Sequence, residues 1–228
     1  AMQFPDPWIC DADNNLQRLT SLPFMQGKRF WYDTLDQDDA GMDILEERKW
    51  LRFLEVTQKA YEHKDISYLI FDSITRIGHY LERYIVTQTT GGGNKGDLVV
   101  GGQKMMSQMH WNPYKTMWLK LITQIRGGTK PCIFIAHRKV DKDEVLGTLS
   151  YKPLIGGQLA DNIGGLFTDV WNCTAEPGMP TKENPSGVNY FVETVPQPRQ
   201  AQLGTSLGLP PKFKMEWSTI AEKLGEKV

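Results

Sequence analysis

SYLIFDSITR, residues 67–76, decides how this chain is read. Tyr68, Leu69, Ile70 and Phe71 run unbroken into Asp72 and Ser73. A short continuous apolar run predicts a strand buried on both faces, as in parallel sheets. A carboxylate at the end of such a strand stands where open α/β sheets bind ligands. Asp72 can hold magnesium there, usually through water, because a hard cation prefers oxygen. The competing reading of Asp72 and Ser73 is a helix N-cap, since Ile74, Ile77, Leu81 and Ile85 recur at helical spacing directly after them.

Working outward, PWICDAD (7–13) predicts a short buried strand that ends on two carboxylates, and RFWYDTL (29–35) a second strand. Residues 42–63 predict a long helix with Ile44, Leu51, Leu54 and Tyr61 on one face. Residues 112–128 predict another, with Asn112 as cap, Pro113 in the first turn and two glycines as the stop. Tyr114, Met117, Trp118, Leu121, Ile122 and Ile125 form its apolar stripe. PCIFIAHR (131–138) reads as one more continuous apolar strand. Strands alternating with amphipathic helices imply an α/β fold, a mostly parallel sheet flanked by helices.

The second half reads differently. Residues 139–153 predict a polar hairpin or flexible loop, and 156–167 a short helix through Leu159, Ile163 and Phe167. DVWNCTA (169–175) and VNYFVETV (188–195) predict consecutive strands that extend the sheet in antiparallel fashion. A last helix, 216–225, is anchored by Trp217, Ile220 and Leu224. One domain is expected over 1–228, with mobile loops at 89–104 and 138–156 and a C-terminal extension at 196–228.

Bulk properties narrow the function classes. The net charge is −1, so nucleic acid can be held only by a local basic patch. No apolar run of about 18 residues and no signal pattern is present, which predicts a cytoplasmic protein with no membrane partner. Cys10, Cys132 and Cys173 lack metal-ligand spacing and predict buried, reduced thiols.

Three strand ends can serve one site: Asp11 and Asp13, Asp72 and Ser73, and His137. A second carboxylate beside a metal-holding one can orient and deprotonate a water. A polar group on a third strand can sense a terminal phosphate. The bland readings are solvated turn residues for Asp11 and Asp13, and a merely hydrogen-bonded histidine for His137. A two-metal nuclease built on Asp11, Asp13 and Asp72 is a weaker alternative.

The order of these stretches resembles the RecA-like NTPase core, and more narrowly the phage-encoded AAA-family ATPases of recombination modules. The similar segments are PDPWICDADNNLQRL, YLIFDSIT, CIFIAHRK, YKPLIGGQLADNIGGLFTDVW and a tail of YFVETV, LGLPPKFKMEWSTIAEKL. The resemblance spans residues 5 to about 225. It implies ATP and magnesium as cofactors, Asp72 as the magnesium-side acid, Asp13 as the water-activating acid and His137 as the phosphate sensor. It further implies that Arg199 could reach a neighbour's phosphate, in a homo-oligomeric ring or filament working with phage recombination or replication proteins. Single-stranded DNA would run along the loops that hold Lys95, Lys104, Arg138, Lys139, Lys142, Tyr151 and Lys152, where cations and an aromatic suit backbone contact and base stacking.

One departure stands out. GxxxxGK[ST] occurs nowhere in the 228 residues. Such a loop works because amides at a helix N-terminus surround the phosphates. The family order places it just before residue 5, so the expectation is that strand, loop and helix have been removed and that this chain is inactive or impaired as an ATPase. The alternative is a non-hydrolysing structural or adaptor protein that keeps a RecA-like shell.

Overall fold

The computed structural model describes residues 4–19, 27–88, 98–100, 103–142, 149–181, 186–196 and 202–225. They form two compact units, residues 1–137 with 153–159, and residues 138–152 with 160–228.

The first unit is built on a parallel sheet. Its strands are β1 (Pro7–Asp11), β2 (Trp31–Thr34), β3 (Tyr68–Asp72) and β6 (Cys132–Ile135), in the order β2-β1-β3-β6. The register aligns Cys10 with Phe71 and Phe134, and Asp11 with Asp72 and Ile135. Side chains alternate across a strand. Trp8, Cys10, Leu69, Phe71 and Phe134 therefore share one face, and Ile9, Asp11, Ile70, Asp72, Ile133 and Ile135 share the other. Phe71 stacks on Phe134 at 4.6 Å and meets Phe53 and Trp8 edge-on at 5.8 and 5.9 Å. On the opposite face Ile9, Ile70 and Leu16 cluster with Phe4, Ile133 and Ile135, and Leu16 opens the short helix α1 (Leu16–Leu19).

Three longer helices complete this unit: α2 (Lys49–Glu62), α3 (Ile74–Gln88) and α4 (Trp111–Arg126). The predicted stripes of α3 and α4 are buried, apart from the half-buried Met117. The α2 stripe is not the predicted one. Leu51 and Leu54 are exposed, and Trp50, Phe53, Val56 and Ala60 face inward. Ring contacts set that phase, Trp50 with Trp118 and Phe53 with Phe71. The helix also begins later than predicted, after a 3-10 turn at Glu46–Arg48. Asn112 is not a cap. The chain enters α4 through a 3-10 turn, Gln108–His110, closed by a reciprocal capping box of Ser107 and His110. Gly127 caps its end as predicted.

Parts of the two predicted loops are ordered strands. Leu98–Val100 (β4) pairs antiparallel with Gln103–Met105 (β5). Arg138–Lys142 (β7) and Leu149–Pro153 (β8) make a two-stranded sheet, which is the hairpin reading of 139–153.

In the second unit a short helix, α5 (Leu159–Asn162), precedes strands β9 (Asn172–Pro177), β10 (Val188–Glu193) and β11 (Lys212–Lys214). These strands are antiparallel, in the order β11-β10-β9. They form a sheet of their own and do not extend the parallel one. Their core joins Val192, Leu209, Phe213 and Ile220 with Trp171, Leu207 and Trp217. The last helix, α6 (Trp217–Leu224), buries Ile220 and Ala221, whereas Leu224 is exposed. Cys10 is buried as predicted, Cys132 is half-buried, and Cys173 is exposed on β9. No described helix is long and apolar enough to cross a membrane.

Candidate functional site

The carboxyl ends of β1, β3 and β6 meet because β3 lies between the other two. The Ala12 amide donates to the Asp72 carbonyl at 2.7 Å, which ties the turn after β1 to the end of β3. The His137 amide donates to Thr75 Oγ1 at 3.0 Å, which ties the end of β6 to the first turn of α3. Across this edge, His137 Nε2 stands 3.5 Å from Asp13 Oδ2. The structure thus brings Asp13 and His137 together, with Asp72 on the strand between them.

Besides His137, the four other polar residues predicted here do different things. Asp11 is 1% exposed, and its carboxylate accepts the Asn15 and Leu16 amides at 3.0 and 2.7 Å. It caps α1 and is neither a solvated turn residue nor open to a metal, which removes one of the three acids of the nuclease reading. Asp13 Oδ2 is buried and accepts no hydrogen bond among the described residues. A buried carboxylate oxygen without a donor is a costly arrangement that calls for a partner. Asp72 has its acidity weakened, first by burial and then by Asp13 and Asp11, partly offset by His137. Ser73 is fully buried, and its carbonyl accepts the Arg76 and Ile77 amides at 3.1 Å. The Asp72–Ser73 peptide is cis.

Several residues that shape this edge carry no sequence signal of their own. Tyr80, 1% exposed, donates its hydroxyl to the Ala12 carbonyl at 3.3 Å. Arg76 Nε donates to the same hydroxyl at 3.1 Å, and Arg76 and Lys49 each lie 5.1 Å from the Tyr80 ring. Asn14, at φ 59°, donates to Asp36, which also receives Lys49 Nζ at 2.6 Å. The turn that presents Asp13 is therefore held from both sides. Apart from Arg76 with Tyr80, four residues apart on α3, each link is long-range in sequence, so no local pattern announces it. Tyr80→Phe removes the hydroxyl that serves Ala12 and Arg76, and should cost about 1–3 kcal/mol in urea unfolding. A loss below about 0.3 kcal/mol would mean the turn does not depend on it.

The predicted DNA-contacting residues divide. In the second unit, Arg138 lies 4.3 Å over the Tyr151 ring on the β7–β8 hairpin. Lys152 is engaged by Asp141 and Asp161 at 2.9 and 2.7 Å, and Lys139 approaches Asp141 at 3.8 Å. Lys142 ends β7. In the first unit, Lys104 lies on β5, where its carbonyl accepts from Arg83. Lys95 and Arg199 lie outside the described residues.

Magnesium fits this edge as a shared ligand. Asp72 would offer carboxylate oxygens to such an ion, and Asp13 Oδ2 is an acceptor without a hydrogen bond among the described residues. No three of the described His, Cys, Asp and Glu residues gather to hold a metal unaided.

The family model of the AAA domain matches residues 1–200. No curated protein and no solved structure matches the chain. With that match over most of its length and an acid-bearing parallel-sheet edge, the chain belongs to the AAA domain family of nucleotide-binding, ATPase-type proteins.

Proposed function

We propose that this edge is the metal-and-water half of an ATP site in a RecA-like, phage-type protein that handles single-stranded DNA. The observation that carries the reading is Asp72, held less acidic between two other strand ends, with Asp13 Oδ2 3.5 Å from His137 Nε2 and without a hydrogen bond. Asp72 would hold magnesium through water, and the ion would offset charge on the phosphates. Asp13 would take the proton of an attacking water, and His137, 57% exposed at its side chain, would meet the terminal phosphate. These 228 residues contain no GxxxxGK[ST] to grip the phosphates. The 228 residues alone should accordingly show no ATP turnover above background. Steady turnover that is lost on Asp72→Ala would place the whole site within this chain.

Handling of DNA is assigned to the β7–β8 hairpin, where Arg138 stacks on Tyr151. Arg199 is proposed as a trans-acting contact in a homo-oligomer, alongside other recombination or replication proteins. The test is fluorescence anisotropy of labelled single-stranded DNA over a salt series. Affinity should fall as salt rises, and Tyr151→Ala should cost about 1–3 kcal/mol of binding. Salt-independent affinity, or Tyr151→Ala matching wild type, would remove the hairpin from the DNA path.

A further inference from the structure

His137 is fixed by its backbone more than by its ring. The side chain is open to water and meets Asp13 at 3.5 Å, a contact worth little in that setting. Its amide donates to Thr75 Oγ1 on α3, and its carbonyl accepts the Leu154 amide at 2.7 Å. Where the ring stands therefore depends on what holds Leu154. Leu154 lies in a strap, residues 153–159, that belongs to the same unit as His137, α3 and α4. The glycine pair that follows is seated on those helices. A Cβ on Gly156 would come 2.7 Å from the Trp111 ring of α4 and 2.8 Å from Glu82 Oε1 of α3. One on Gly157, which has φ 62°, would come 3.0 Å from the same ring. Tyr114 of α4 stands edge-on to Trp111 at 5.6 Å and is 1% exposed. Its hydroxyl makes no hydrogen bond among the described residues. Gly78 of α3 leaves it room, since a Cβ there would come 2.9 Å from Oη. Burial weakens the acidity of this phenol first and Glu82 adds to that, while the Trp118 indole and the Gly156 amide offset part of it. A buried hydroxyl without a partner is costly, and the Gly156 amide is a donor close by.

We propose that Tyr114 is a positioning residue for His137: its hydroxyl accepts the Gly156 amide, and the strap carries that hold through Leu154 to the His137 carbonyl. Trp111 and Glu82 are the walls of the seat, and the glycines are needed because no side chain fits between them. The inference rests on the reading of His137 as the group that meets the terminal phosphate, and it names what aims that group. A purely structural Tyr114 would contribute to stability and leave the His137 ring where it is.

Long-range proton–nitrogen correlation NMR of the His137 imidazole, in the full chain without nucleotide or metal, tests it. Asp13→Asn supplies the spectrum of a His137 ring that has lost its carboxylate. Tyr114→Phe removes only the hydroxyl, and Gly156→Ala pushes a methyl into the Trp111 ring. Each should move the His137 nitrogens most of the way to their Asp13→Asn positions. Val56→Ala, at a position on α2 that is 0% exposed and part of neither strap nor seat, lowers stability and should leave them as in wild type. His137 nitrogens unmoved by Tyr114→Phe, or moved as far by Val56→Ala, would overturn the proposal. If Gly156→Ala fails to fold, Tyr114→Phe alone decides. Lost manganese–nucleotide retention would strike the ATP reading and leave this result standing, so the two fall separately.

Discussion

Replacing Phe71 with alanine is expected to lower the unfolding free energy by about 3–5 kcal/mol, the range for removing a fully buried phenylalanine. Phe71 is 0% exposed and touches three other aromatic rings from three elements: Trp8 of β1, Phe53 of α2 and Phe134 of β6. Its removal deletes apolar contact and leaves a cavity between the sheet and α2 that rigid neighbouring rings cannot refill. Urea unfolding measures the loss. A change under about 1 kcal/mol would mean that the sheet and α2 do not pack through this ring. The same substitution sits one residue before Asp72, so a loosened strand end should also blur the site.

The second large effect concerns Asp72 and has two parts of opposite sign. Burial, Asp13 and Asp11 hold its carboxyl above the usual aspartate range in the folded chain. Between the ordinary value and the raised one, the folded state keeps a proton that the unfolded state has released. The unfolded state then binds fewer protons, so stability falls as pH rises through that window, and the deficit is complete above it. Asp72→Asn removes the ionisation while keeping the shape. It should melt higher than wild type at neutral pH, and the two should converge as pH falls below the window. The same change should weaken metal-assisted nucleotide binding. A site that lowers stability in order to keep a charge is the usual trade at functional positions. An Asn variant that melts lower than wild type at neutral pH would show that the carboxylate stabilises the fold.

The parts of the molecule legible in its sequence are those governed by local periodicity. β3, β6, α3 and α4 follow from apolar runs and stripes, and the strand-end residues Asp72, Asp13 and His137 follow from their place after those runs. The phase of α2 was not legible, because Leu51 and Leu54 are as apolar as the residues that are actually buried. What settles the phase is which side chains find aromatic partners on other elements, and Trp50 and Phe53 do. The role of Asp11 was hidden for a related reason. It depends on a turn that brings two amides back to its carboxylate. Strands β9 and β10 were readable as an antiparallel pair, but whether they join the first sheet is a question of long-range pairing, which alternation along a strand does not encode. Tyr80, Asn14, Asp36 and Lys49 act through contacts that span up to 68 residues, beyond the reach of any spacing rule.

Asp72 is proposed as the metal-side acid of a nucleotide site. Electron paramagnetic resonance of manganese, titrated into the 228-residue chain with ATP present, tests it most directly. Wild type should retain the manganese–nucleotide complex weakly, and Asp72→Ala should weaken that retention about tenfold or more. Equal retention by wild type and Asp72→Ala would contradict the claim.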